Sequence, residues 1–241
     1  MQRFRPTHLF LALSLLATPA LVHAQIPSAV PAAATSTPPR RVTSITLGQS
    51  IVALNGPWKF HIGDNPAWAD PNFDDSTWET VDLAPKAGAI DPTVGFSDYV
   101  PGWTAKGHPG YWGYAWYRIR VRVTAQPGEK LALTGPADVD DAYQVFANGR
   151  LLGSFGKFPP PGTGAAQTPV PYSTRPQMFP LAPSRTDAAA RTQVLAFRVW
   201  MEPNTLMLAP DAGGMHSAPL LGTAGVVAAR YQLAWQKLVH A

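Results

Sequence analysis

Aromatic side chains crowd one irregular segment of the chain, residues 84–112. Flat aromatic rings can stack on the apolar C–H faces of sugars, while a few placed polar groups bind the hydroxyls. The segment therefore predicts a site for a carbohydrate or another small ligand, with Trp103 exposed at a turn after Pro101-Gly102. The alternative is a small second core that holds the loop down. The candidate ligand-binding residues of this segment are Tyr99, Trp103, His108, Tyr111 and Trp112.

Acidic side chains form a second cluster, in which Asp138, Asp140 and Asp141 precede a strand-like run from Tyr143. Glycoside hydrolysis uses two carboxylates about 5–10 Å apart that flank the scissile bond. Adjacent strand residues point to opposite faces, so Asp140 and Asp141 do not form such a pair. Asp141 is interpreted first as a structural residue and second as a ligand contact.

Calcium is the one metal for which the sequence offers weak candidates, the hard oxygen ligands of Asp64, Asp74 and Asp75, with Asp70 nearby. Their spacing differs from that of an EF-hand, and turn or helix-cap roles are the favoured alternative. The absence of cysteine excludes disulfides, thiolate nucleophiles and thiolate metal sites. We find no nucleophile elbow, no metal-ligand spacing and no phosphate loop, and we expect no cofactor and no catalysis.

Alternating side chains predict the strands that must position these residues. In residues 117–124, apolar positions should face a core, and Arg118, Arg120 and Arg122 should face water. Residues 143–147 should form one arm of a hairpin that turns at Asn148-Gly149, a pair suited to a type I′ turn.

Further strands are predicted along the chain, and Trp58 and Trp78 are expected to pack in the core. The strand closing the sheet should carry Val194, Ala196, Arg198 and Trp200 on one face. The remaining strands are predicted at residues 42–47, 58–62, 177–181 and 193–200.

Five short motifs of this chain resemble motifs that follow one another in the same order in the N-terminal sugar-binding domain of glycoside hydrolase family 2, the β-galactosidase and β-glucuronidase group. The resemblance implies an all-β, galactose-binding-domain-like jelly-roll β-sandwich over about residues 45–200. It also implies a non-catalytic domain, since the family's catalytic carboxylates lie in a separate barrel and no barrel follows here. An acidic residue near Asp141 supports loop structure or contacts sugar in this family. The motifs are LNGPWKF (54–60), FDDSTW (73–78), GYAWYR (113–118), DDAYQVFANG (140–149) and VLAFRV (194–199).

Residues 1–24 have the features of a secretory signal peptide. Arg3 and Arg5 precede an apolar run from Leu9 to Leu16, and the segment ends in a small-x-small cleavage pattern at Ala24. The predicted location is therefore extracytoplasmic, either periplasmic or secreted. An uncleaved membrane anchor is the alternative.

Residues 25–41 are rich in proline, alanine, serine and threonine, which predicts a disordered linker. The net charge of +4 falls to +2 without the two arginines of residues 1–24. No cluster of lysine and arginine indicates a nucleic-acid surface, so no nucleic-acid partner is expected.

After the sandwich domain, residues 42–204, we expect an irregular connector over residues 205–222 and an amphipathic helix over residues 223–241. This helix resembles the juxtamembrane helix of bacterial sensor proteins. It should mediate a membrane-proximal contact or a homodimer, or else pack against the edge of the sandwich. Its apolar stripe comprises Val227, Tyr231, Ala234, Trp235 and Leu238.

Three functions follow from these patterns. The first is a non-catalytic carbohydrate-binding module. The second is a ligand-sensing or interaction domain of a membrane signalling protein, of the histidine kinase or serine phosphatase type, lacking its membrane and cytoplasmic parts. The third and least supported is a glycoside hydrolase.

Overall fold

The computed structural model describes residues 40–47, 51–92, 95, 97–159, 177–182, 190–203 and 210–230. The predicted signal peptide, the predicted linker up to residue 39 and the stripe residues of the C-terminal helix after Val227 lie outside the described residues. The described residues belong to one compact unit, Arg40–Ala241.

The described residues form thirteen β-strands, two 3₁₀ helices (η1 and η2) and one α-helix. In chain order they are β1 (Thr43–Thr46), β2 (Val52–Ala53), β3 (Trp58–Ile62), η1 (Pro66–Ala69), β4 (Glu79–Val81), η2 (Trp103–Lys106), β5 (Gly113–Thr124), β6 (Leu131–Thr134), β7 (Val139–Asp140), β8 (Ala142–Ala147), β9 (Arg150–Phe155), β10 (Met178–Pro180), β11 (Ala190–Met201), β12 (Gly214–Met215), β13 (Leu220–Thr223) and α1 (residues 224–230).

Two sheets face each other across the core. The larger has seven strands in the order β4-β3-β5-β11-β8-β9, with β1 added in parallel to β5. The smaller has the order β10-β6-β13-β2, and β12 pairs with β7 in a separate ladder. The predicted all-β jelly-roll sandwich is confirmed, and the described part of the predicted C-terminal helix, residues 224–230, is helical.

The segment from 205 to 222 is not the irregular connector that was predicted. Its described part contains β12 and most of β13, and β13 lies between β6 and β2 inside the smaller sheet. These strands are short: β12 begins at Gly214, directly after Gly213, and Pro219 directly precedes β13. They show too little alternation to be recognised, because glycine and proline are unfavourable within strands.

The Asn148-Gly149 hairpin is confirmed. Asn148 and Gly149 have φ values of 48° and 81°, as a type I′ turn requires, and they join β8 to β9. The Asn148 side chain also accepts a hydrogen bond from the Val194 amide at 2.8 Å and donates one to the Gln193 side chain at 2.7 Å. The turn is thereby attached to β11.

Alternation along β5 places its apolar residues in the core between the sheets. Tyr117 is 3% exposed, and Val121 and Val123 are fully buried. Trp58 lies in the same core, where its indole N–H donates to the Leu54 carbonyl at 2.7 Å. Trp78 is also buried, but it belongs to a smaller aromatic cluster on the outer face of the larger sheet.

The prediction that Arg118 and Arg120 face water is wrong. They point to the outer face of β5, yet Arg118 is fully buried and Arg120 is 9% exposed. The buried Asp75 carboxylate lies 2.9 Å from the Arg118 Nε and 2.7 Å from the Arg120 Nη1. Burial tends to raise the pKa of Asp75, but hydrogen bonds from the two arginines outweigh it and lower the pKa.

The two arginines also bind the backbone of residues 68–73. Arg118 donates to the carbonyls of Trp68 and Asp70, and Arg120 donates to those of Pro71 and Phe73. The segment around η1 is thereby held against the outer face. The part of this face around Arg118 and Arg120 is shielded from solvent because a chain segment covers it, and alternation along one strand does not report such a cover.

We expect Asp75→Asn to lower the free energy of unfolding by about 3–5 kcal/mol, because it leaves two buried guanidinium groups without their carboxylate. Urea unfolding monitored by tryptophan fluorescence measures the loss. Asp74→Asn is the matched control, since Asp74 is exposed and only its Oδ1 accepts from the Ser76 amide. Equal stabilities of the two variants would contradict this role of Asp75.

Candidate functional site

The aromatic residues predicted to bind ligand are largely internal. Trp103 is 1% exposed, so the prediction of an exposed turn tip is wrong. Its indole N–H donates to the Tyr111 carbonyl at 3.0 Å, and its ring packs 6.2 Å from that of Phe60. Gly213 and Gly214 lie so close to this ring that a Cβ on either would clash with it. Trp103 therefore anchors the loop to the sandwich.

Tyr99 is buried as well, with its ring stacked on His216 at a centroid distance of 5.1 Å. Burial raises the pKa of Tyr99 far above its ordinary value, and a hydrogen bond with Asp211 adds to the effect. His108 is half-buried, 3.0 Å from Glu79 and 5.5 Å from the Phe60 ring. Trp103 and Val100 belong to the main core, and Tyr111 packs against it, so the loop is held down by the sandwich core rather than by a separate small second core.

Tyr111 is half-buried, and Trp112 is exposed. The Tyr111 hydroxyl donates to the Tyr114 carbonyl at 2.6 Å and accepts from the Gly63 amide at 3.1 Å. Trp112 is 49% exposed and directly precedes β5. Of the five predicted aromatic and histidine candidates, Trp112 is the one whose side chain is largely open to solvent.

Asp140 and Asp141 bind different parts of the chain. The Asp140 Oδ2 accepts from the Gly213 amide at 2.9 Å and lies 3.0 Å from the His216 Nε2. The Asp141 Oδ2 accepts from the Glu202 amide at 2.6 Å. Burial raises the pKa of Asp141 to about 6, and the charges of Asp140 and Glu202 act in the same direction.

The calcium candidates have other partners. Asp75 is bound by two arginines, Asp64 is bound by Arg198, and Asp74 accepts from the backbone of its own turn. Within the described ranges, no three histidine, aspartate or glutamate side chains converge on a point where they could hold a metal ion.

A different cluster combines aromatic and charged groups on a partly open surface. It lies on the outer face of the larger sheet, at the Tyr114 end of β5, and we call it the outer-face cluster. The rings of Tyr114 and Phe158 are nearly parallel, with an interplanar angle of 7° and centroids 6.1 Å apart. The Arg198 guanidinium carbon lies 4.2 Å from the Tyr114 ring centroid and 5.2 Å from that of Phe158. Tyr114 and Phe158 are both half-buried.

Arg198 is held in one orientation by its polar partners. It donates from Nε and Nη2 to the two oxygens of Asp64 at 2.7 and 2.6 Å, and from Nη1 to the Gln144 side chain at 2.9 Å. The Trp116 indole donates to the same carboxylate at 3.0 Å. Burial opposes the ionisation of Asp64, but these hydrogen bonds prevail and lower its pKa.

The electrostatics of the pair make it a fixed hydrogen-bonding surface rather than a proton donor. Burial tends to lower the pKa of Arg198, but its contact with Asp64 raises it, so both partners remain charged. The side chains are 19% and 26% exposed, respectively, so their edges reach solvent. Such a cluster can bind a ligand that has both an apolar face and several hydroxyls.

Sequence patterns gave only part of this site. Alternation on β11 placed Arg198 and Trp200 on the same face, but nothing assigned them a role. Asp64 is 134 residues from Arg198 in the chain. Phe158 lies in a proline-rich stretch and was not selected. A useful signal would have been the outward alternation of Tyr114 and Trp116 at the start of β5.

Comparisons with known proteins agree with the resemblance seen in the motifs. No protein-family model matches the chain. A β-galactosidase of Bacteroides ovatus, BoGH2A, is 36% identical over 104 residues, which cover 42% of this chain and 11% of that protein. The chain thus spans about a tenth of the curated relative it matches. The predicted resemblance to the N-terminal sugar-binding domain of glycoside hydrolase family 2 is confirmed.

Two solved structures of Bacteroides enzymes align with part of this chain. A β-glucuronidase of Bacteroides uniformis is 20% identical, with 71% of this chain and 17% of that chain covered and a TM-score of 0.45. A family 2 glycosyl hydrolase from Bacteroides cellulosilyticus is 18% identical, with 71% and 20% covered and a TM-score of 0.47. Among the described residues of the present chain, no helix has the length and apolar character needed to span a membrane.

We expect Trp103→Ala to lower the free energy of unfolding by about 3–5 kcal/mol, because it opens a cavity in the core. Trp112→Ala should change it by no more than about 0.5 kcal/mol, as is usual for an exposed side chain. Urea unfolding of both variants measures the contrast. A Trp103→Ala protein as stable as Trp112→Ala would show that the ring is not an anchor.

Asp141 should make stability depend on pH. Its folded-state pKa of about 6 lies above the ordinary value of 3.8, so the fold favours the protonated form. Its contribution to stability is complete below the unfolded pKa and is lost as pH rises through about 6. Asp141→Asn removes this dependence. Unfolding curves should therefore show the free energy of unfolding of the variant rising relative to that of the wild type from about pH 4 to about pH 7. A difference in free energy that does not change with pH would contradict the raised pKa.

Proposed function

We propose that this protein is a non-catalytic, extracytoplasmic carbohydrate-binding domain, and that its ligand binds at the outer-face cluster. The observation that carries the proposal is the pair of half-buried, parallel rings of Tyr114 and Phe158 beside the Arg198–Asp64 ion pair. A sugar offers an apolar C–H face for a ring and neighbouring hydroxyls for planar polar groups. The cluster presents both kinds of group side by side.

The cluster is well ordered before any ligand arrives, which favours binding. Arg198 contacts two rings, one carboxylate and one amide, so its side chain has little freedom left to lose. Affinity rises when side chains need not be immobilised upon binding. The lowered pKa of Asp64 supports a role as a hydrogen-bond acceptor and argues against a role as general acid.

Two further observations support the proposal. The resemblance to the sugar-binding domain of glycoside hydrolase family 2 makes carbohydrate the first class of ligand to test. The features of a secretory signal in residues 1–24 are consistent with a location outside the cytoplasm, where polysaccharides are available.

A second candidate function is that of a sensor or interaction domain. The observation in its favour is that α1 follows β13 without a connector, and Val227 of α1 is fully buried beside Gly222 of that strand. A movement of the smaller sheet would therefore reach α1 directly. This coupling is compatible with carbohydrate binding, since a sensor also needs a ligand.

The test is a thermal-shift and calorimetric screen of the full chain against mono- and oligosaccharides, including β-galactosides and β-glucuronides. A sugar present at a hundred times its dissociation constant should add about 2.7 kcal/mol of stability. Tyr114→Ala should weaken binding at least tenfold, because it removes the ring on which the Arg198 guanidinium lies. Tyr114→Phe keeps that ring and should retain binding.

Met178→Ala is the control, since Met178 is an exposed apolar residue on the smaller sheet. It should bind sugars as the wild type does. Sugar binding that persists in Tyr114→Ala would move the site away from the outer-face cluster. A wild type that binds no sugar in the panel would contradict the proposed function and leave the sensor or interaction domain as the better candidate.

A further inference from the structure

We infer that the outer face takes a linear oligosaccharide, with sugar units resting on two separate apolar platforms, rather than a single monosaccharide. The first platform is formed by Tyr114 and Phe158. The second is formed by Phe146 on β8 and Leu151 on β9. This inference rests on the proposed function and adds the length and the path of the ligand.

Strand register sets the distance between the platforms. Tyr114 pairs with Trp200 on β11, and Phe146 pairs with Ala196 on the same strand. Trp200 and Ala196 are four residues apart, which corresponds to about 13 Å along the strand direction. A pyranose ring is no larger than one aromatic side chain, so one sugar unit cannot rest on both platforms.

The second platform packs on a buried aromatic side chain. The Phe146 ring stacks on Trp116 with a centroid distance of 5.4 Å and an interplanar angle of 26°. Trp116 is itself fully buried and donates to Asp64. Leu151 pairs with Phe146 across the strands and is 48% exposed. Cross-strand partners share a face of the sheet, so the two side chains form one apolar surface.

Polar groups fill the row between the platforms. Arg198 pairs with Gln144 across β11 and β8, and its guanidinium is bonded to the Gln144 amide oxygen. The Asp64 carboxylate accepts hydrogen bonds from the other side of the same guanidinium. The surface thus has an apolar platform at each end and polar groups between them. This arrangement matches an oligosaccharide whose terminal sugar rings stack on the platforms while the hydroxyls between them are hydrogen-bonded.

Asp64 connects the platforms physically. It accepts from Trp116, which supports Phe146, and from Arg198, which contacts Tyr114 and Phe158. A ligand on one platform therefore finds the other already in position. Contacts at a second position on a rigid surface raise affinity without a second loss of overall freedom.

The test is calorimetry on the full chain with β-1,4-linked gluco- and galacto-oligosaccharides of one to four units. We expect the tetrasaccharide of the recognised series to bind at least tenfold more tightly than the monosaccharide. Phe146→Ala should abolish that gain with length. Tyr114→Ala should weaken every length, because it damages the platform nearest the charged pair.

Phe146→Leu is a second variant in case the alanine variant is unstable, since leucine keeps the side chain apolar but removes the flat ring. Met178→Ala remains the control and should retain the full gain with length. Equal affinity for all lengths in the wild type would overturn the two-platform inference while leaving carbohydrate binding intact. No binding of any sugar would overturn both, and a gain that survives Phe146→Ala and Phe146→Leu would overturn the inference alone.

Discussion

The buried carboxylate of Asp75, shared by Arg118 and Arg120, is the interaction on which the outer half of the structure depends. A lone buried charge is costly, and the two arginines are tolerable within the sheet face only because Asp75 and several backbone carbonyls satisfy them. In return the arginines hold residues 68–73 against β5. Asp75 thus allows a face of β5 that carries two arginines to be covered by residues 68–73.

The candidate site lies on the same outer face as that cover. Asp64 lies four residues before the segment that the arginines hold, and it bonds to both Trp116 and Arg198. The guanidinium of Arg198 is then fixed beside the rings of Tyr114 and Phe158. A face built mainly of sheet residues is rigid, because neighbouring strands and stacked rings leave few alternative rotamers.

Much of the scaffold could be predicted without coordinates. Alternation located β5, β8 and β11, and Asn148-Gly149 located a turn, because both signals depend on local backbone geometry. β12 and β13 could not be recognised because they have two and four residues, too few to show alternation. The site could be predicted least well, since the sequence-based candidates Trp112 and Asp141 do not belong to the outer-face cluster and no local pattern marks Arg198 or Phe158.

The sequence by itself determined the class of fold, its principal strands and its likeness to a sugar-binding domain, because residue periodicity, turn chemistry and motif order survive in one dimension. Only the tertiary structure decided which side chains are covered. Trp103 is buried against Gly213 and Gly214, and Arg118 and Arg120 are covered by residues 68–73. Asp64 forms an ion pair with Arg198. Burial and charge pairing depend on segments that are distant in the chain, and no local pattern encodes their meeting.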